Sequence, residues 1–205
     1  YHNVNGLVPS VLVKHEIPAE VRAAVDSVFG KCCYYNGAVA QTVYTASSAG
    51  TTASAENVWG GNPVPYLTSV ATPFDVASDP NYGVITTFSE SYIKNALESY
   101  LGIILSDNPA NWLTVTGRID GNYVSSVSVD GQVSVSGRKI RENILKYGIK
   151  SWCFDVSYAD GEFTFVTYGY GHGVGMSQNG ANILAKQGYT YDQILQYYFP
   201  GITVS

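Results

Sequence analysis

The chain has 205 residues, a net charge of −5, 45% hydrophobic residues and only 13% charged ones, about half the usual charged share. That length suits one large domain or two small ones. The lack of any basic run argues against nucleic acid as a partner, because phosphate binding needs clustered Lys and Arg. No apolar run nears the ~18 residues that a transmembrane segment needs.

Seventeen tyrosines and 21 glycines stand where charge would otherwise be. Such a surface suits an extracellular protein that handles sugars or peptides; a plain low-charge fold is the equal alternative. The cysteines Cys32, Cys33 and Cys153 form neither a CxxC pair nor a Cys/His cluster. A structural zinc is therefore not expected, nor is any other metal or cofactor. The three read as small buried apolar residues. The chain begins at Tyr1 rather than Met, which reads as a processed or partial sequence from which any export signal has been removed.

In chain order, residues 31–35 and 38–44 flank Asn36-Gly37, a type I′ hairpin signal. The interval 47–81 reads mostly as loop, with Trp59, Tyr66 and Phe74 arguing for order. Ser89 caps a predicted helix running to about Leu101, with Ile93, Ala96, Leu97 and Tyr100 on one stripe. A second hairpin joins residues 113–119 to 123–129 through Asp120-Gly121. A helix is predicted over 137–147, where Ile140, Ile144 and Leu145 fall at helical spacing. Residues 152–158 alternate as a half-buried strand and pair with 162–168 through Asp160-Gly161. Two short helices follow, at 176–186 and 191–199, ended by Gly188 and by Pro200-Gly201. The expected fold class is α+β: predominantly antiparallel β hairpins with three to four helices in a single domain.

The densest signal is the stretch 168–180, Tyr-Gly-Tyr-Gly-His-Gly-Val-Gly-Met-Ser-Gln-Asn-Gly. Glycine loses the most backbone freedom on ordering, so such a run implies positive φ or close approach to the backbone. It places His172, Ser177 and Gln178 at a strand-to-helix junction. His172 is framed by glycines and can serve as acid, base or donor, or simply pack. Ser177 has no base beside it and no nucleophile elbow around it. The glycine spacing does not match a dinucleotide fingerprint. Ser47 and Ser48 follow a strand end, where small hydroxyls can line a groove or form a turn. Glu56 precedes Trp59 by three residues, a carboxylate beside an indole that suits a glycan cleft or a loop anchor.

Together these segments resemble the stage II sporulation protein D and amidase enhancer family of bacterial cell-wall proteins. The resemblance runs through Ala24-Val25-Asp26-Ser27, Tyr34-Tyr35-Asn36-Gly37, Tyr44-Thr45-Ala46-Ser47-Ser48, Glu56-Asn57-Val58-Trp59-Gly60-Gly61, Val135-Ser136-Gly137-Arg138 and the string from Gly171 to Gln178, and covers residues 22–205. It leaves 1–21 as a segment of uncertain role before a domain that acts on peptidoglycan.

The resemblance implies glycan strands as the ligand, either for a lytic transglycosylase acting on strands stripped of stem peptides or for a module that stimulates a cell-wall amidase. It implies an extracytoplasmic protein, secreted to the cell wall or the outer face of a bacterial membrane. The site residues it implies are His172 and an acid, with Ser47, Ser48, Glu56, Trp59, Tyr170, Ser177 and Gln178 for substrate. The family's catalytic glutamate lies in an Ala-Glu-Met-Pro-like helix upstream. Lys14-His15-Glu16-Ile17-Pro18 resembles it only in passing, so the acid is expected from upstream residues, with Glu16 as the candidate within the chain. Thr45 stands where the family commonly has His.

Overall fold

A computed structural model describes residues 17–205. In chain order the elements are α1 (Ala19–Ser27), β1 (Cys33–Tyr35), β2 (Ala38–Val39), β3 (Tyr44–Thr45), α2 (Ala55–Trp59), α3 (Pro73–Ser78), β4 (Tyr82–Ser89) and α4 (Glu90–Leu101). After these come β5 (Thr114–Ile119), β6 (Tyr123–Val129), β7 (Val133–Val135) and α5 (Gly137–Lys139), which passes into a π-helical turn at Ile140–Ile144. The chain closes with β8 (Phe154–Ala159), β9 (Glu162–Tyr168), β10 (Met176–Ser177), α6 (Gln178–Lys186), α7 (Tyr191–Tyr198) and β11 (Thr203–Val204). The result is a mixed α+β body of four small sheets, ordered β11-β1-β2, β10-β3, β4-β9-β8 and β5-β6-β7. All pairings are antiparallel except β3 with β10.

The hairpins follow from their turn residues. Asn36-Gly37, Asp120-Gly121 and Asp160-Gly161 all sit at positive φ, which type I′ turns require. Ser89 caps α4 by accepting from the Tyr92 N–H, and Ile93 and Leu97 are buried on the expected stripe. Strand β4 was not expected, yet it alternates half-buried and exposed residues along its whole length and pairs with β9. The predicted loop 47–81 holds two short helices, α2 and α3. The helix expected over 137–147 ends early. Leu145 N–H bonds to the Ile140 carbonyl, one residue further back than in an α-helix, and the extra residue breaks the 3.6-residue period. The helix expected from Met176 begins at Gln178 instead, because Ser177 is the cap and its hydroxyl accepts from Gly180 N–H. Cys153 is buried as expected, but Cys32 is exposed just before β1 and Cys33 is half-buried at its first residue, in a small three-stranded sheet.

Two apolar cores hold the body together. One packs α4 and the π-helical turn against the faces of the β4-β9-β8 and β5-β6-β7 sheets, around Trp112, Phe154, Phe163 and Phe165. The other lies beneath the glycine-rich loop and gathers Tyr123, Trp152, Val174, Leu184, Ile194, Tyr198 and Phe199. Tyr123 stacks on Trp152 with ring centroids 4.6 Å apart. The Trp152 indole N–H then donates to the His172 carbonyl at 3.0 Å. The second core thus fixes the backbone that carries His172.

Candidate functional site

Strand β9 ends at Tyr168, and the chain then crosses the segment 43–53 as though sewn to it. Ser47 and Tyr170 exchange backbone hydrogen bonds at 3.1 and 3.2 Å, Ala53 N–H reaches the Gly173 carbonyl at 2.8 Å, and Met176 N–H reaches the Val43 carbonyl at 3.0 Å. Gly169 makes the close approach possible. Its φ is +76°, and a Cβ there would lie 2.8 Å from the Ser48 carbonyl. The Thr45 hydroxyl donates to the Tyr170 carbonyl at 3.0 Å and accepts from Gly173 N–H at 3.2 Å. Thr45 is therefore a clamp on the loop, and its hydroxyl is not free to meet a ligand.

Between the two segments lies an open cleft of about 750 Å³, lined by residues 41–46, Trp59, Tyr170, Gly171 and His172. Tyr44, Trp59 and Tyr170 are each about half exposed and present ring surface to it. Trp59 ends α2, and its ring centroid is 5.2 Å from that of His172 at a tilt of 58°. The His172 Nδ1 accepts the Val174 N–H at 3.0 Å. The proton of the neutral ring must then sit on Nε2. Burial lowers the His172 pKa, the Arg141 guanidinium lowers it further, and the Tyr44 carbonyl only partly offsets them. His172 is thus a neutral donor at physiological pH.

Cations form the wall behind His172. Arg141 is buried, donates from Nε to the Lys150 carbonyl at 3.0 Å and lies 4.8 Å from the Tyr147 ring centroid. Lys150 places its ammonium 2.7 Å from Asn81 Oδ1 and 5.6 Å from the Tyr170 ring centroid. Arg138 holds Glu142 in a two-pronged pair, with N···O distances of 3.1 and 2.8 Å, and also donates to the Val58 carbonyl beside Trp59.

Of the residues singled out in sequence, Trp59, Tyr170 and His172 come together in the cleft. The others do not join them. Ser47 is buried with an unpartnered hydroxyl, and Glu56 has one buried, unpartnered carboxylate oxygen but does not line the cleft. Gln178 is exposed at the start of α6. Glu16 lies outside the described residues. Ser48 and Ser177 are buried beneath the site and bind one carboxylate, Asp75.

Asp75 was missed in the sequence. It is fully buried, and it accepts from Ser48 N–H (3.2 Å), Ser48 Oγ (2.7 Å), Ser177 Oγ (3.0 Å) and Asn179 Nδ2 (2.9 Å). It joins the two segments that carry the cleft. Arg141, Lys150 and Tyr147 were missed as well; the only hint was a cluster of cations around an interrupted helical pattern. Among the described residues, no group of three or more His, Cys, Asp or Glu converges as a metal would require, and no helix is long and apolar enough to cross a membrane.

Comparison with known proteins adds an independent line. No family model matches the chain. It is 36% identical over 186 residues to stage II sporulation protein D of Bacillus subtilis (strain 168), covering 91% of this chain and 51% of that protein. It is 34% identical over 186 residues to the protein of the same name from Bacillus amyloliquefaciens, with the same coverage. To the amidase enhancer of Bacillus subtilis (strain 168) it is 26% identical over 230 residues, covering 89% of this chain and 32% of that protein. The chain thus spans about half the length of the two sporulation proteins it matches.

Proposed function

The chain belongs to the family of stage II sporulation protein D and the amidase enhancer, and we propose that its cleft binds the glycan strands of peptidoglycan in the bacterial cell wall. The observation that carries this reading is the Trp59–His172 ring pair, which lines one open cleft together with the half-exposed Tyr170 and Tyr44. Exposed aromatic rings offer the apolar faces of sugars a rigid platform, and a neutral imidazole offers a hydroxyl one directed donor.

The reaction proposed is that of a lytic transglycosylase. A carboxylic acid protonates the glycosidic oxygen, the bond to the sugar's anomeric carbon breaks, and the sugar's own 6-hydroxyl closes an anhydro ring on that carbon. The same group, now a carboxylate, takes the hydroxyl proton, so no water is consumed. His172 orients the sugar by turning its Nε2–H from the Tyr44 carbonyl to a sugar hydroxyl. The acid comes from Glu16 or from a part of the longer family proteins that this chain does not span.

A second reading, a non-catalytic module that binds the wall and assists an amidase, is favoured by one observation. Among the described residues that line the cleft, none is a carboxylate. Both readings place the protein outside the cytoplasm.

Digestion of purified glycan strands tests the two together. Products ending in anhydro sugars, lost on Glu16→Gln, establish the enzyme with Glu16 as its acid. Binding without turnover, together with faster cleavage by an added wall amidase, establishes the module. Failure of the strands to bind at all overturns the glycan reading.

A further inference from the structure

The turn after the π-helical segment holds two successive non-glycine residues in the left-handed region, Lys146 (φ 48°) and Tyr147 (φ 64°). That conformation is unfavourable for L side chains, and runs of it persist where the surrounding structure imposes them, often at functional sites. Here it holds two adjacent side chains with different surroundings. Tyr147 turns outward, 64% exposed, with its ring against Arg141, the cation whose charge His172 feels. Arg141 in turn shares the Lys150 carbonyl with the Gly171 N–H of the cleft lining, at 3.0 and 3.1 Å, so Tyr147 lies two contacts outward from the cleft wall. Lys146 lines a separate trough of about 390 Å³ between this turn and α4.

The trough is built on the outer stripe of α4. Tyr92 and Tyr100 rise at its two ends, each 44% exposed, and the small Ala96 leaves the gap between them. Tyr92 is stacked on Phe88 with centroids 5.1 Å apart and planes within 14°, so its ring is fixed in advance. Asn95, Ser99 and Asn143 supply amides and a hydroxyl between the rings, and no carboxylate lines the trough. Paired aromatic faces with neutral hydrogen-bonding groups between them match a pyranose, which has apolar faces and a hydroxyl edge.

We propose that this trough is an accessory subsite for a glycan strand, in which a strand seated in the cleft continues over Tyr147 and lodges a further sugar unit between Tyr92 and Tyr100. The inference rests on the glycan reading of the cleft and extends it to a second site.

The test is calorimetric binding of the full chain to long peptidoglycan glycan strands and to a single disaccharide. The variants are Tyr100→Ala and Tyr147→Asn, Asn being a residue that tolerates the left-handed turn. Each should weaken the long strand about tenfold, the loss of one aromatic contact, and leave the disaccharide unchanged. Trp59→Ala, inside the cleft, should weaken both ligands. An equal loss for both ligands in the Tyr100 and Tyr147 variants, or no loss for either, overturns the subsite. If the unaltered protein binds neither ligand, the glycan reading of the cleft fails, and the trough's role fails with it.

Discussion

Trp59 and His172 lie ring against ring at the cleft, 5.2 Å between centroids, so the indole shields the imidazole from water and, on the glycan reading proposed above, is also the platform for a sugar. Burial is the largest cause of the lowered His172 pKa. Trp59→Ala is therefore expected to raise the His172 pKa toward its ordinary 6.5 and to weaken glycan binding about tenfold. Trp59→Phe should keep most of both properties. NMR titration of the imidazole reads the first effect, and an unchanged titration in Trp59→Ala would show that the indole does not shield the ring.

The same lowered pKa makes stability depend on pH. Below the unfolded value of 6.5 the unfolded chain takes up a proton at this position more readily than the folded one. Acidification through 6.5 and down to the lower folded pKa therefore favours unfolding, and above 6.5 the ring contributes no pH dependence. His172→Asn, whose side-chain carbonyl can still accept the Val174 N–H, is expected to abolish this component. Urea unfolding of both proteins at neutral and mildly acidic pH measures the difference. Equal losses on acidification in the two proteins would contradict the assignment.

Asp75 binds Ser48, Ser177 and Asn179 in full burial, and among the described residues no Lys or Arg joins its hydrogen-bond set. Asp75→Ala leaves several buried donors unpaired, so it is expected to destabilise the fold by about 3 kcal/mol or more. Asp75→Asn keeps the size but brings an amide N–H toward donors, and should fall between. Denaturant unfolding gives the magnitude. A loss for Asp75→Ala within about 0.5 kcal/mol, the range of ordinary surface changes, would remove Asp75 as the tie between the two site segments.

What could be read in the sequence was local. Asn-Gly and Asp-Gly turns announce their hairpins because positive φ selects those residues, and Ser89 announces α4 through its cap. Asp130-Gly131, also at positive φ, carried the same signal for the β6–β7 turn and went unused, as did the two-residue alternation of β4. The glycine-rich loop announced a close backbone approach, and Gly169 on Ser48 is that approach. What could not be read depends on contacts distant in sequence. Nothing in Thr72-Pro73-Phe74-Asp75 says that the carboxylate turns inward to meet a serine from each site segment. Nothing around Ser47, Ser48 or Ser177 says that their hydroxyls lie beneath the cleft rather than in it. The π-helical turn was hidden because Ile140, Ile144 and Leu145 still fall at apolar spacing that reads as an ordinary α-helix, and the extra residue shows only in the backbone bond from Leu145 N–H to the Ile140 carbonyl.

Gly169 and Gly161 provide a paired test of the close approach. Both sit at similar left-handed angles, φ +76° and φ +81°. A side chain at either position meets the same backbone penalty of about 1–2 kcal/mol. Their surroundings differ: a Cβ at Gly161 would meet nothing within 4 Å, whereas one at Gly169 would lie 2.8 Å from backbone atoms of Ser48, which cannot rotate away. Gly161→Ala should therefore show the conformational penalty alone. Gly169→Ala should exceed it by about 1–3 kcal/mol, the typical cost of forcing an atom into packed surroundings. Because Ser47 and Tyr170 exchange backbone bonds next to this contact, the shift that relieves the clash must move Tyr170 in the cleft. Gly169→Ala should thus also weaken glycan binding, while Gly161→Ala, in the turn between β8 and β9, should not. Equal destabilisation by the two substitutions, or intact binding in Gly169→Ala, would mean that the loop does not need the Gly169–Ser48 contact to hold the cleft open.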